Sequence, residues 1–404
     1  MLLYNSQTRK KELFVPLDKK TVKIYVCGIT PYDTTHLGHA FTYTIFDVFL
    51  RYVAYKGFDV QYVQNVTDID DDILKKAKEV GRDWRELGDY WTNRFLSDMR
   101  SLNILPPTHY VKATGSIGKI IEITKGLITK EFAYENDGNV YFDYKKFKSY
   151  GALSKLTEKQ MLLIARERGG NPDDTLRKHP LDFLLWQKSK KDEPFWESPW
   201  GLPAARLPAG QGRQGKGRPG WHIECSAMIH QYLGEQIDIH GGGRDLIFPH
   251  HESEIAQSES YTGKRPFVGY WMHIAMLLHE GEKMSKSLGN LVMVKDLLKK
   301  YSANAIRWMF LTHHYRVPWE FHEEEIKEAE KNIVAIKTAL EVKTNEGRKN
   351  LYCIKKFEFF MEDDINAPDA LHVLRKIAKR ITEDNEVHLQ KSLRGLVEIL
   401  GFQF

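Results

Sequence analysis

Cysteine is scarce in this chain. Cys27, Cys225 and Cys353 are the only three in 404 residues, and they lie far apart. That excludes a disulfide-stapled scaffold and leaves the thiols as core fillers, metal ligands or nucleophiles of a reducing compartment. No apolar run is long enough to span a bilayer. The first residues, MLLYNSQTRKKELFVPL, lack a secretory hydrophobic region and cleavage site, so a cytoplasmic address with no membrane partner is expected. A strong excess of either charge is also missing. The formal net charge of +5 permits a polyanionic partner such as RNA without demanding one. What remains is a soluble composition, 42% hydrophobic and 28% charged, in a chain long enough for two or three domains.

The first part of the chain alternates strand-like and helix-like patterns. TVKIYVCGI predicts a buried strand, FTYTIFDVFLRYVAYKG a helix stopped at Gly57, and FDVQYVQNVTD the next strand. This is a βαβ unit, which implies a parallel sheet with its ligand crevice outside the carboxyl ends of the strands. Cys27 and His36 follow the end of the first strand, and Thr67 and Asp68 the end of the second. From about Leu102 the pattern is mixed, with NVYFDY strand-like and TEKQMLLIARERGG helical, as in an insertion between two halves of a nucleotide fold. Residues 202–217, LPAARLPAGQGRQGKG, have no periodicity and predict a flexible loop. The alternation resumes at Gly220, and after about Asn290 the chain reads as all helical. Ile326, Ala329, Ile333, Ile336 and Leu340 form one stripe there, the mark of a C-terminal bundle. The expected division is a first catalytic half at 1–101, an insertion at 102–200, a second half at 201–300 and the bundle at 301–404.

Three constellations carry chemistry. HLGH places His36 and His39 on one face at the start of a helix, where free N–H groups and the helix dipole suit phosphates. GEKMSKSLGN puts Lys283 and Lys286 in a Gly-bounded loop that can clamp a triphosphate. GRPGWHIECSAM holds Cys225, and IDIHGGGRDLIFPHHESEIAQSE holds His250 and Glu254, four apart on one helix face. With Cys27 these could assemble a four-ligand zinc set from three segments. Two buried thiols and a surface PHHE stretch fit the same spacing, and His240 could equally be a satisfied core histidine.

HLGH and KMSKS, in this order and widely separated, resemble the two signatures of class I aminoacyl-tRNA synthetases. From about Tyr4 to Ala370 the chain resembles cysteinyl-tRNA synthetases. That resemblance implies a Rossmann-type parallel α/β sheet interrupted by a connective insertion and followed by a helical bundle. It implies one zinc ion per chain on Cys27, Cys225, His250 and Glu254, which would grip the substrate thiolate. Gly28, Thr30, Thr67 and Trp221 match positions around the aminoacyl group, and Gly243 and Asp245 match the adenosine contact. ATP with Mg²⁺ would be bound through His36 and His39, with Lys283 and Lys286 on the leaving pyrophosphate. Cys353, in LYCIKKF, carries no implied role, and His251 is not among the implied ligands.

The acceptor is the open question at this level. CGITPYD, ILPPTHYV, RERGGNPDD and NLVMV resemble the mycothiol-pathway ligase, which joins cysteine to the amine of glucosaminyl-inositol. Only about 115 residues follow KMSKS, which suggests a short or absent anticodon-binding domain. Glu254, HIECSAM, DIHGGG and EIAQSE resemble the synthetases instead and favour tRNA(Cys) as partner, acting on a monomeric enzyme. A non-catalytic RNA-binding paralogue would have lost a signature lysine or zinc ligand, and neither is lost. A general nucleotidyltransferase would not need the two cysteines beside His and Glu.

Overall fold

Thr21–Ile29 does form a strand, and its β-branched run lies at the centre of the molecule. The computed structural model describes residues 1–32, 35–168, 171, 173–201, 215–284, 288–343 and 349–404. A hairpin, β1 (Leu2–Asn5) and β2 (Lys10–Leu13), leads into β3 (Thr21–Ile29), α1 (Leu37–Tyr55) and β4 (Asp59–Val66). Helices α2 (Asp71–Val80) and α3 (Trp84–Ser101) precede β5 (His109–Lys112) and α4 (Ile117–Thr129). A smaller unit follows, with β6 (Ala133–Asn136), β7 (Asn139–Phe142), α5 (Glu158–Glu167), β8 (Phe183–Lys188), β9 (Trp196–Ser198) and β10 (Gly215–Pro219). The chain then returns through α6 (Trp221–Tyr232), β11 (Ile237–Gly243), α7 (His250–Thr262) and β12 (Val268–Ile274).

The main sheet has the order β12-β11-β3-β4-β5, with every neighbouring pair parallel. Numbered by their sequence within the sheet, the strands run 3-2-1-4-5, the doubly wound order whose ligand crevice opens where the winding reverses. Here that point lies between the carboxyl ends of β3 and β11. The insertion carries its own antiparallel sheet, β6-β7-β8-β10-β9. Two expected boundaries shift accordingly. β5 belongs to the main sheet although it lies after residue 102, and β10 belongs to the insertion sheet although it lies after residue 200. Gly215–Gly217, expected inside an irregular loop, begin β10; the rest of that expectation, 202–214, lies outside the described residues. The strand is hidden in sequence because its glycines answer to packing: a Cβ at Gly217 would sit 2.1 Å from the Trp186 Nε1.

Beyond the sheet come β13 (Leu277–His279), β14 (Glu282–Lys283), α8 (Val294–Leu297) and α9 (Ala303–Leu311). A short strand, β15 (Trp319–Glu320), pairs in parallel with β13, so the segment after Asn290 is not wholly helical. Helices α10 (Glu323–Glu341), α11 (Leu351–Met361), α12 (Ala367–Thr382) and α13 (Gln390–Ile399) complete the bundle. The stripe Ile326, Ala329, Ile333, Ile336 and Leu340 is buried as expected. One apolar cluster runs without a break from Val22 and Ile24 of β3 through Phe41 and Phe46 of α1 to Leu374 of α12. A second covers the other face of the sheet and joins it to the insertion through Ile120, Phe142 and Trp186.

Candidate active site and metal centre

The end of β3 is shaped by a bulge. Register with β4 shifts between Val26 and Ile29, which places Cys27 and Gly28 in the irregularity. A bulge re-aims the side chain it carries. Gly28 is required by close approach, since a Cβ there would lie 1.5 Å from the Asn65 carbonyl oxygen. Its N–H donates to Asn65 Oδ1 at 2.7 Å, and the Tyr43 hydroxyl donates to the Cys27 carbonyl at 2.9 Å. Cys27 is thereby fixed at the crevice.

Four donors converge on it. One ligand atom each of Cys27, Cys225, His250 and Glu254 lies within 4.8 Å of the others, and all four residues are buried. Cys225 comes from α6, while His250 and Glu254 lie one turn apart on α7. Glu254 Oε1 is 3.0 Å from His250 Nε2 yet takes part in no hydrogen bond. Its other oxygen, Oε2, is 2.8 Å from His240 Nε2. His250 Nδ1 lies 3.0 Å from His222 Nδ1. Burial alone would hold the Glu254 carboxyl up, but His240 and His250 outweigh it and bring it to about 2. Burial opposes ionisation of Cys225 too, but the Cys27 hydrogen bond and His250 bring that thiol to about 6. Burial pushes the Cys27 thiol up. Two soft sulfurs, an imidazole and a carboxylate in a buried pocket fit a tetrahedral zinc ion. The outer contacts of His240 and His222 are of the kind that orient metal ligands.

A second donor group overlaps the first: Cys27, His240, His251 and Glu254. Its His251 is already held at both nitrogens, with Nε2 3.3 Å from Cys27 Sγ and Nδ1 2.8 Å from His273 Nε2. The first group therefore presents the freer donors. Sequence reasoning singled out neither His222 nor His273. Their only signal is one histidine directly after Trp221 and one near the end of a strand.

The HLGH segment adjoins this cluster. His36 is the N-cap of α1, and its Nδ1 accepts the Gly38 N–H at 3.1 Å. The rings of His36 and His39 stand 3.8 Å apart. Burial, with help from His36 and Lys283, pushes His39 well below the usual imidazole range. Lys283 Nζ donates to Asp245 Oδ2 at 2.8 Å. A cavity of about 230 Å³ is lined by Cys27, Gly28, His36, His39, Gly243, Asp245 and Lys283. Thus residues from three distant segments, Cys27 to His39, Gly243 to Asp245 and Lys283, line one cavity, and Cys27 belongs both to it and to the donor cluster. Thr67 is buried beside it, its hydroxyl accepting from Asn65 Nδ2 at 3.3 Å. Asp70, at the start of α2, also faces Thr30. Trp221 begins α6 and stacks on His250, with centroids 4.4 Å apart and planes at 24°. Trp221 lines a neighbouring cavity rather than the first one. Lys286 lies outside the described residues. Cys353 is buried in α11, remote in the fold from this cluster.

Comparison with known proteins matches residues 13–331 to the family described as "tRNA synthetases class I (C) catalytic domain". A "Cysteine--tRNA ligase" of Dehalococcoides mccartyi is 45% identical over 411 residues, covering 99% of this chain and 86% of the relative. One of Legionella pneumophila is 44% identical, covering 99% of this chain and 84% of the relative. One of Thermococcus onnurineus is also 44% identical, covering 94% of this chain and 79% of the relative. Among solved structures, the Mycobacterium tuberculosis methionyl-tRNA synthetase in complex with methionyl-adenylate is similar in fold. Its TM-score is 0.63 at 14% identity, covering 94% of this chain and 89% of that one.

Proposed function

The chain belongs to the class I aminoacyl-tRNA synthetases, with cysteine–tRNA ligases as its near relatives, and from that premise we propose that it activates L-cysteine with ATP and passes the cysteinyl group to tRNA(Cys). The observation that supports this most is the shared position of Cys27. It belongs at once to the four-donor cluster and to the cavity lined by the phosphate signature. An amino acid held by its side chain at the cluster would present its carboxylate to a nucleotide in that cavity.

Cys27, Cys225, His250 and Glu254 would hold a zinc ion. Bound there, zinc would take the substrate thiol as a thiolate and so favour cysteine over serine, whose hydroxyl is harder and far less acidic. The chain's own groups position the reaction and neutralise charge. The carboxylate of cysteine attacks the α-phosphorus of ATP in line, giving cysteinyl-adenylate and pyrophosphate. His39, kept neutral by burial, and His36 at the start of α1 supply N–H groups and the helix dipole to the phosphates. Asp245 suits a ribose hydroxyl and Gly243 the close approach of adenosine. Lys283 would leave Asp245 for the phosphates as nucleotide binds, joined on motif alone by Lys286, with Mg²⁺ accompanying ATP. Gly28, Thr30, Thr67 and Trp221 would surround the aminoacyl group.

The test is an acceptor assay. Zinc-loaded protein receives ATP and labelled cysteine with either total tRNA or glucosaminyl-inositol. Label on tRNA is expected. Label on the amino-sugar alone would make the chain a small-molecule ligase on a synthetase frame.

A further inference from the structure

The turn between α11 and α12 is strained, and nothing in the activation chemistry asks for it. Asp364 and Ile365 both lie in the left-handed region, with φ of 63° and 52°. Among the described residues they are the one neighbouring pair of non-glycine residues there, and Ile365 is the one β-branched residue. A β-branched residue in that region is a genuine outlier. Such strain persists only where the surroundings over-determine it, and it clusters at functional sites. Here the surroundings converge on the Asp364 side chain, which is fully buried. The Tyr4 N–H of β1 donates to Asp364 Oδ1 at 2.8 Å, the Tyr315 hydroxyl donates to Oδ1 at 2.6 Å, and Arg316 Nε donates to Oδ2 at 2.6 Å. The Asp364 N–H in turn donates to the Leu2 carbonyl at 3.0 Å. The left-handed backbone thus aims one carboxylate at donors from two other segments.

Tyr315 carries the contact onward. It is buried, and its carbonyl accepts the Ala275 N–H at 2.7 Å. Ala275 directly follows β12 and, with Ile274 and Met276, lines the same cavity as His36, His39 and Lys283. From there the chain runs into β13, which pairs with β15 and with β14, where Leu278 faces Lys283. The wall that leads to Lys283 is therefore fixed at its start by Tyr315, and Tyr315 is fixed by Asp364.

We propose that Asp364 and Tyr315 are positioning residues for the activation step: the strained turn holds the Tyr315 hydroxyl, so that the Tyr315 carbonyl fixes Ala275 and with it the wall of the nucleotide cavity. This rests on the reading of that cavity as the ATP site. Neither residue lines the cavity, so both act through Ala275. The effect falls on the nucleotide and not on cysteine, because the four inner donors come from β3, α6 and α7, whereas Ala275 lies at the end of β12.

The test reads ATP and cysteine separately in pyrophosphate exchange, with rates counted per active site from the adenylate burst. Tyr315→Phe keeps the ring and the carbonyl but loses the hydroxyl that reaches Asp364. Its KM for ATP should rise about fivefold, while its KM for cysteine and its zinc content stay within about twofold of wild type. Asp364→Gly removes the carboxylate and leaves a residue at ease in the left-handed region. Its KM for ATP should rise at least as far, and Tyr315→Phe decides alone if that variant does not fold. Arg316→Gln gives up the other short contact of Asp364 but leaves the Tyr315 bond. It should lower the unfolding midpoint in urea and keep the KM for ATP within about twofold of wild type. An unchanged KM for ATP in Tyr315→Phe, a matching rise in its KM for cysteine, or an equal rise in Arg316→Gln would overturn the proposal, since each would reduce Asp364 to a structural tie. The wild-type control is read first. If it shows no cysteine-dependent exchange, the activation reading itself fails, and this proposal with it.

Discussion

At the scale of single residues, the four-donor cluster is a matter of paired shells. Glu254 and His250 each offer one atom inward and rest the other on a histidine, His240 and His222. Removing an inner donor should therefore act differently from removing an outer one. Cys225→Ala should leave substoichiometric zinc, read by atomic emission, and lose cysteine-dependent pyrophosphate exchange. His240→Ala should still bind zinc, with affinity lower by about 10–100-fold, the usual effect of losing an outer partner. Full zinc content and full exchange in Cys225→Ala would sink the metal assignment. The four inner donors were named in sequence through the resemblance, since their spacing alone fitted two buried thiols and a surface PHHE stretch equally well; the fold brings their ligand atoms within 4.8 Å of one another. The outer histidines were not so named, because a lone histidine after a tryptophan or inside a strand has the same local pattern whether it supports a ligand or fills a core. Only the fold brings His222, His240 and His250 to one place.

At the scale of elements, the start of α2 combines two demands on one side chain. Asp70 is the N-cap, and its Oδ1 accepts the Ile73 N–H at 2.9 Å. Burial, the largest effect, together with Asp71 and Asp72, pushes its carboxyl up to about 7 from 3.8, against the Ile73 hydrogen bond. The folded value lies above the unfolded one. The stability held by the protonated form is therefore complete below about pH 4 and drains away as pH rises through 7. Asp70→Asn keeps a good cap and cannot ionise. Urea unfolding should show the variant gaining on wild type by about 2 kcal/mol between pH 4 and pH 8, less than the full shift implies because Asp70 is partly exposed. A gap independent of pH would mean that Asp70 ionises normally in the fold. The elements themselves were largely legible, since β3, α1, β4 and α10 follow clean periodicities. β10 was not, because Gly217 is chosen by the Trp186 ring across the sheet and not by strand propensity.

At the scale of the whole molecule, the bundle and the main sheet share one apolar core, so the C-terminal helices are part of the catalytic frame. One buried cation fastens them polarly as well. Arg307 of α9 pairs with Asp47 of α1 at 2.5 Å and donates to the carbonyls of Leu102 at 2.9 Å and Leu400 at 2.7 Å. It thus joins the helix that starts at HLGH to the end of α3 and to the last turn of the bundle. Arg51 also pairs with Asp47, at 2.9 Å, and the Leu105 N–H donates to Asp47 at 2.8 Å, so the carboxylate keeps partners when Arg307 is lost. Two buried carbonyls would still lose their donor. Arg307→Met should therefore cost about 3 kcal/mol in urea unfolding, the low end for breaking a buried pair. Since α1 carries His36 and His39, exchange should fall together with stability at temperatures where the variant is still folded. Adding Asp47→Asn should restore part of the stability, because the second change removes a buried charge left short of one partner. Strictly additive losses in the double variant would show that Asp47 and Arg307 act independently, and that the core alone couples the bundle to α1.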